Sequence, residues 1–209
     1  MKHLLAYMIS AYTEPKSLLT LVNALDSDKV DFYIHIDKKV EITPFYQLLK
    51  NRSNVFFTKR REIVNWGGWS QIEMQYALIS EVLDSPFKYQ KVVNLTGTDF
   101  PIASNRQLIS TLNNVENEFI IGYRLATDKT NCKDKVLYYY EYDKGKNIRL
   151  FWAVIRKILK IKRFKNYDSI GYDFYFGSEY WALSYNVLSE LMTIWNEDMN
   201  LQKILKNAS

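Results

Sequence analysis

Sulfur is scarce in this 209-residue chain, which has a single cysteine, Cys132. That excludes an intramolecular disulfide and a zinc site built on several thiolates. Long apolar runs are missing too. None approaches the roughly 18 residues that a membrane span needs, and the opening MKHLLAYMISAY turns polar too soon for a signal peptide. The chain is therefore expected to be cytoplasmic. The glycine signatures of common nucleotide sites, GxxxxGK[ST] and GxGxxG, do not occur. There is no internal repeat, low-complexity tract or domain linker.

Aromatic residues, by contrast, are abundant, at 15% with 16 Tyr and 5 Trp. Such rings join a flat apolar face to a polar tip and suit stacking on sugars or bases. An AT-rich genome favouring Tyr and Phe codons is the plain alternative. Lys and Arg number 28 against 23 Asp and Glu, a net charge of +5. This suits an anionic partner such as a nucleotide, a nucleic acid or a lipid surface, without choosing among them.

Strand-like and helix-like stretches alternate through the first half. HLLAYMIS (3–10), VDFYIHID (30–37), VFFT (55–58), YQKVVNL (89–95) and EFIIGYR (118–124) read as strands. SLLTLVNAL after Pro15, GWSQIEMQYALISEVLDS (68–85) and SNRQLISTL (104–112) repeat apolar residues at helical spacing. Such alternation predicts an α/β fold, a mostly parallel central sheet flanked by helices. Ligands of such sheets bind beyond the carboxyl ends of the strands. Further on, FWAVIRKILKIKRFK is a basic amphipathic stretch, and YDFYFGSEYWALS (172–184) reads as two strand-like runs joined through Gly177. SYNVLSELMTIW and NLQKILKNAS look helical.

Four constellations stand where chemistry could occur. Asp37 closes IHID, where a carboxylate can accept hydrogen bonds from a base or ribose, or only from local backbone N–H groups. His35, two residues before it, reads as a packing histidine. In VNWGGWS, Gly67-Gly68 at a helix start suits a phosphate and Trp66 offers a stacking face; a tight loop around a packed tryptophan is the alternative. In LTGTDFPI, Asp99 stands alone where a metal site for a sugar nucleotide would normally offer D-x-D. It is expected to fix its loop through backbone N–H groups. In GSEYWALS, Glu179 can serve as a general base if it faces the cleft, with Trp181 beside it as a sugar platform. A solvent-facing acid on an edge strand is the alternative. The basic run at 155–165 could lie on an anionic membrane or simply form a solvated helix face.

AYMISAYTEPKSLLTLVNALD, FYIHIDKK, VNWGGWSQIEMQYALISEVL, YQKVVNLTGTDFPI and FGSEYWALS, in this order and spacing, resemble the core-2/I-branching N-acetylglucosaminyltransferases, a family shared with peptide-O-xylosyltransferases. The short form resembles a bacterial member. The resemblance implies a GT-A-type nucleotide-sugar-binding fold, with residues 1–124 as nucleotide-binding half and 125–209 as acceptor-side half of one domain. It implies inverting transfer of a sugar, typically N-acetylglucosamine, from a UDP-sugar to a glycan hydroxyl. No cofactor, divalent metal or nucleic acid is expected, and the acceptor is expected to be lipid-linked in surface polysaccharide synthesis. By the same resemblance Ser10, Asp37 and Trp66 border the nucleotide, and Asp99 lies beneath the donor sugar. Arg124, Lys133 and Lys135 border the acceptor. The family's acidic base motif and its diphosphate-neutralising cations would follow Ser209, so the chain is expected to be truncated. Either it is a remnant that only binds the nucleotide sugar, or Glu179 substitutes as base, with Lys38, Arg60 and Arg61 as diphosphate partners.

Overall fold

A computed structural model describes residues 4–113, 116–127, 131–206 and 208. Three expectations reach beyond these: the first strand's start at His3, part of the acceptor region at 128–130, and the last helix at 207 and 209. The described residues form two compact units. Unit 1 comprises Met1–Ile63, Met74–Ile120 and Glu179–Leu191; unit 2 comprises Val64–Glu73, Ile121–Ser178 and Met192–Ser209.

Unit 1 is built on parallel strands. β1 (Leu5–Ala11) pairs in parallel with β2 (Val30–Ile36) and with β4 (Lys91–Thr96), and β2 pairs in parallel with β3 (Val55–Phe57). β2 is buried at every position, the mark of a strand covered on both faces. Between the strands run α1 (Pro15–Leu25), α2 (Thr43–Leu49), α3 (Trp69–Leu83) and α4 (Asn105–Leu112). α1 starts at Pro15, whose missing N–H costs nothing in a first turn, and buries Leu18, Leu21, Val22 and Leu25. α4 starts with a capping box between Ser104 and Gln107. One core cluster unites β1, β2 and α1 through Tyr7, Ile9, Phe32, Ile34, Leu18 and Val22.

β5 (Phe119–Arg124) and β6 (Tyr175–Leu183) complete a six-stranded sheet in the order β3-β2-β1-β4-β6-β5. β6 lies antiparallel to β4, with Val92 opposite Leu183 and Val93 opposite Ala182. The expectation of a mostly parallel sheet with flanking helices therefore holds, with three local corrections. α2 was not expected, because Thr43–Leu49 is too short to show a helical period. The two runs expected around Gly177 are one strand: a side chain there would stand 2.7 Å from the Ile121 carbonyl oxygen, so glycine lets neighbouring backbone close in rather than ending the strand. The basic stretch is helical as α6 (Lys146–Leu159), after the short α5 (Asp134–Leu137), and stops where Lys160 turns left-handed at φ 48°. Residues 160–165 leave the helix. α7 (Tyr185–Glu197) and α8 (Met199–Leu205) are the last helices among the described residues. Unit 2 has its own core of Leu125, Val136, Leu137, Tyr167, Ile170 and Ile204.

Candidate functional site

The carboxyl ends of β1, β2 and β4 in unit 1 gather Ser10, Asp37 and Asp99. The Gly97 N–H donates to the Ser10 carbonyl at 2.8 Å, and a Cβ on Gly97 would stand 2.6 Å from the Ala11 Cβ. Only glycine lets these two strand ends approach so closely. Asp37 is buried, and its carboxylate accepts the Lys39 backbone N–H at 2.8 Å with the Lys39 ammonium at 3.4 Å. Its own N–H donates to the Ala11 carbonyl. The local alternative weighed for Asp37 is thus what its Oδ1 does.

Arg61 is a clamp on the same turn. Its Nε donates to the Ile36 carbonyl at 2.8 Å, and its Nη2 donates to the carbonyls of Asp37 and Val40 at 2.9 and 2.6 Å. A planar fork suits such convergent acceptors. The guanidinium therefore holds the loop in which Asp37 sits, while Lys38 next to it is exposed. Arg60 pairs with Glu62.

His35 is 1% exposed, and its Nε2 accepts the Glu62 backbone N–H at 2.9 Å. An Nε2 that accepts carries no proton. Burial pushes its pKa down to about 4, against the opposing pull of Asp37 and Glu62. It is a packing histidine, and it ties β2 to the segment that carries Arg61.

The loop after β4 closes on Asp99, whose Oδ2 accepts the Thr96 N–H at 2.7 Å. Antiparallel β6 brings Glu179 and Tyr180 to the same end of β4. Asn94, buried, donates from Nδ2 to the Glu179 carbonyl at 2.7 Å and accepts Gln75 Nε2 at 3.1 Å. The Glu179 side chain is exposed and Trp181 half-buried. The Tyr180 hydroxyl is raised in pKa by burial and then by Asp99 and Glu179. Two carboxylates and a phenol thus share this edge.

In unit 2, Trp66 is 82% exposed, whereas Trp69 stacks on Trp195 with centroids 5.6 Å apart. Gly67 has φ 75°, and its N–H donates to Gln71 Oε1 at 2.6 Å. The start of α3 is occupied by a carboxylate from far along the chain. Asp143 Oδ2 accepts the Ser70 N–H at 3.0 Å, while Oδ1 accepts from the Ser70 hydroxyl and from Asn65 Nδ2 at 3.2 Å. A Cβ on Gly68 would collide with Asp143 Oδ1. An anion does sit at this helix start, as glycines there allow, but the protein supplies it. Asp143 has no signal in the sequence: it lies in a Tyr-rich loop, 73 residues from Ser70.

The three cations expected at the acceptor also lie in unit 2. Arg124 is paired with Asp173 through Nε at 2.6 Å and Nη2 at 2.5 Å. Lys133 lies 5.7 Å from the Tyr167 ring centre and Lys135 4.5 Å from that of Phe176.

The chain's one D-x-D, Asp26-Ser27-Asp28, lies before β2, at the amino ends of the parallel strands. Asp26 there accepts from Arg52 and from Asn54 at 2.8 Å, and the three residues line an open cleft of about 490 Å³. Among the described residues no cluster of three His, Cys, Asp or Glu could hold a metal.

A mostly parallel α/β sheet with polar and acidic side chains at its carboxyl edge is the architecture of proteins that bind ligands across strand ends. The particular family follows from comparison. The family model Core-2/I-Branching enzyme matches residues 5–209, and the chain belongs to that family. Human N-acetyllactosaminide beta-1,6-N-acetylglucosaminyl-transferase is 25% identical over 183 residues, 86% of this chain and 43% of that protein. Human probable beta-1,3-galactosyl-O-glycosyl-glycoprotein beta-1,6-N-acetylglucosaminyltransferase 7 is 30% identical over 108 residues, 50% of this chain and 25% of that protein. Rat xylosyltransferase 2 is 29% identical over 112 residues, 52% of this chain and 13% of that protein. The chain spans less than half the length of these curated relatives. Among solved structures, 4-diphosphocytidyl-2C-methyl-D-erythritol synthase from Anaerococcus prevotii aligns over 91% of this chain and 75% of its own, with a TM-score of 0.42 and 14% identity.

Proposed function

We propose that the protein is an inverting glycosyltransferase that moves a sugar, N-acetylglucosamine, from a UDP-sugar to a hydroxyl of an acceptor glycan. The observation that carries this reading is the gathering of Ser10, Asp37, Asp99 and Glu179 at the carboxyl edge of unit 1, within a chain of this family. The Glu179 carboxylate takes the proton of the acceptor hydroxyl, whose oxygen attacks the anomeric carbon as the bond to the diphosphate breaks from the opposite side. Inversion follows from that in-line geometry. Ser10 and Asp37 border the nucleotide, and the exposed Lys38 meets the departing diphosphate without a divalent metal. Arg61 acts on the donor indirectly, by holding the Asp37 turn. Trp181, near Glu179 in sequence, borders the acceptor.

The setting we infer is bacterial surface polysaccharide synthesis at the cytoplasmic face of a membrane, on a lipid-linked acceptor, with peripheral contact through the basic 155–165 segment. No helix among the described residues is long and apolar enough to cross a membrane. The test is UDP release from UDP-N-acetylglucosamine in EDTA, with and without glycan acceptors. Glu179→Gln is expected to stop release while UDP binding, followed by calorimetry, persists. Wild-type protein that binds UDP but never releases it from the donor would leave a binding remnant as the function.

A further inference from the structure

We infer that α6 is a docking surface for an anionic lipid bilayer, and that its contact strip is Leu150, Phe151, Val154 and Ile158. This deepens the membrane side of the proposed function and rests on that part alone.

The helix is mounted inside out. None of its residues is buried, and Leu150, Phe151, Val154 and Ile158 are 64%, 59%, 45% and 70% exposed. Positions 150, 154 and 158 repeat every four residues, and 151 lies beside them, so the four form one stripe. A helix resting on its own protein normally turns such a stripe inward. Here the opposite side does the holding. Trp152 packs on Tyr139 with ring centres 5.4 Å apart. The Arg156 guanidinium lies 4.2 Å from the Tyr140 ring centre and donates to the Tyr139 carbonyl at 2.9 Å. Arg149 lies over Tyr142 at 5.1 Å.

Charge selects the occupant. From residue 146 to 165 the sequence carries eight Lys and Arg and no Asp or Glu. The structure separates these cations by task. Arg156 and Arg149 stack on tyrosines, and Arg163 donates to the Ile204 carbonyl at 2.6 Å and lies over the Tyr139 ring. Lys146, Lys157 and Lys160 are exposed. Lys146 and Lys157, eleven positions apart and so on nearly the same angle, edge the stripe next to Leu150. A neutral apolar partner would give this margin of lysines nothing to meet, whereas an anionic headgroup layer meets both the lysines and the stripe. The geometry also moves the contact from 155–165 to 146–160, because Arg163 holds unit 2 together.

The experiment is co-sedimentation of the full chain with vesicles of phosphatidylcholine alone, or with phosphatidylglycerol added. Wild-type protein is expected to bind the mixed vesicles and to be weakened by salt. Lys146→Gln/Lys157→Gln/Lys160→Gln should weaken binding roughly a hundredfold, at about one kcal/mol per cation. Leu150→Ser/Ile158→Ser, with charge unchanged, should also release the protein. Circular dichroism and thermal melts on each variant confirm that the fold is retained. Absence of wild-type binding, or equal binding by the Ser variant, overturns the inference. A wild-type dimer that the Ser variant dissolves, without vesicle binding, gives the face to a second copy and overturns it too. Donor turnover measured without vesicles does not depend on docking, so either claim can fail while the other stands.

Discussion

His35 offers a sharp test of the site's architecture, because its buried Nε2 must stay unprotonated to accept the Glu62 N–H. A free histidine takes up its proton near 6.5, and this one near 4. Above 6.5 neither folded nor unfolded chain is protonated there, and the full stability is present. Between 6.5 and 4 the unfolded chain binds a proton that the folded chain refuses, so stability falls as pH drops. A gap of roughly two and a half pH units corresponds to about 3 kcal/mol in total, lost progressively and levelling off below pH 4. Urea denaturation of wild type and His35→Gln at pH 7, 6, 5 and 4 would measure it. A glutamine carbonyl can still accept from Glu62 but does not titrate, so the difference between the two proteins should follow the histidine's proton alone. The chain has only two histidines, which makes a proton NMR titration readable. A His35 resonance titrating near 6.5, or parallel stability curves for the two proteins, would refute the reasoning.

Gly97→Ala should lower stability by about 1–3 kcal/mol, because its new methyl collides with the Ala11 Cβ; a chemical denaturation curve unchanged from wild type would remove the close-approach argument. Asp143→Ala removes the acceptor at the start of α3 and should cost about 1–2 kcal/mol. Gly68→Ala is expected to be less costly in the Asp143→Ala background than alone, and strictly additive effects in that cycle would deny the contact. Arg61→Lys should lower the melting temperature and weaken UDP binding together, since a single ammonium cannot serve three carbonyls. Loss of UDP binding at unchanged melting temperature would instead put Arg61 on the diphosphate.

The parallel core was legible because its strands are covered on both faces, so that apolar runs such as LAYMISA and VDFYIHI stand out against amphipathic helices. Asp99 was legible as well, since glycine, acid and proline together describe a turn whose carboxylate takes a nearby N–H. Other features depend on partners remote in sequence. Arg61 reads as a free cation until the carbonyls of Ile36, Asp37 and Val40 are placed around it. The anion at α3 could be foreseen from two glycines, but its owner could not, because only folding brings Asp143 to Ser70. The stretch 155–165 shows one continuous basic periodicity, and nothing in it announces the left-handed Lys160 that ends the helix.

The antiparallel entry of β6 sets an addressing problem for the chain. Every other strand in unit 1's parallel set is placed by a crossover of its own, whereas β6 must find its place beside β4 by register. Side chains alternate along a strand, so a slip of one residue would exchange Glu179 for Tyr180 and turn the carboxylate to the opposite face. Asn94 adds a fixed point to the observed register: its amide, oriented by Gln75, donates to the Glu179 backbone carbonyl. A buried amide beside two valines and a leucine in β4 therefore pins the backbone of the acid through a contact that leaves its carboxylate untouched.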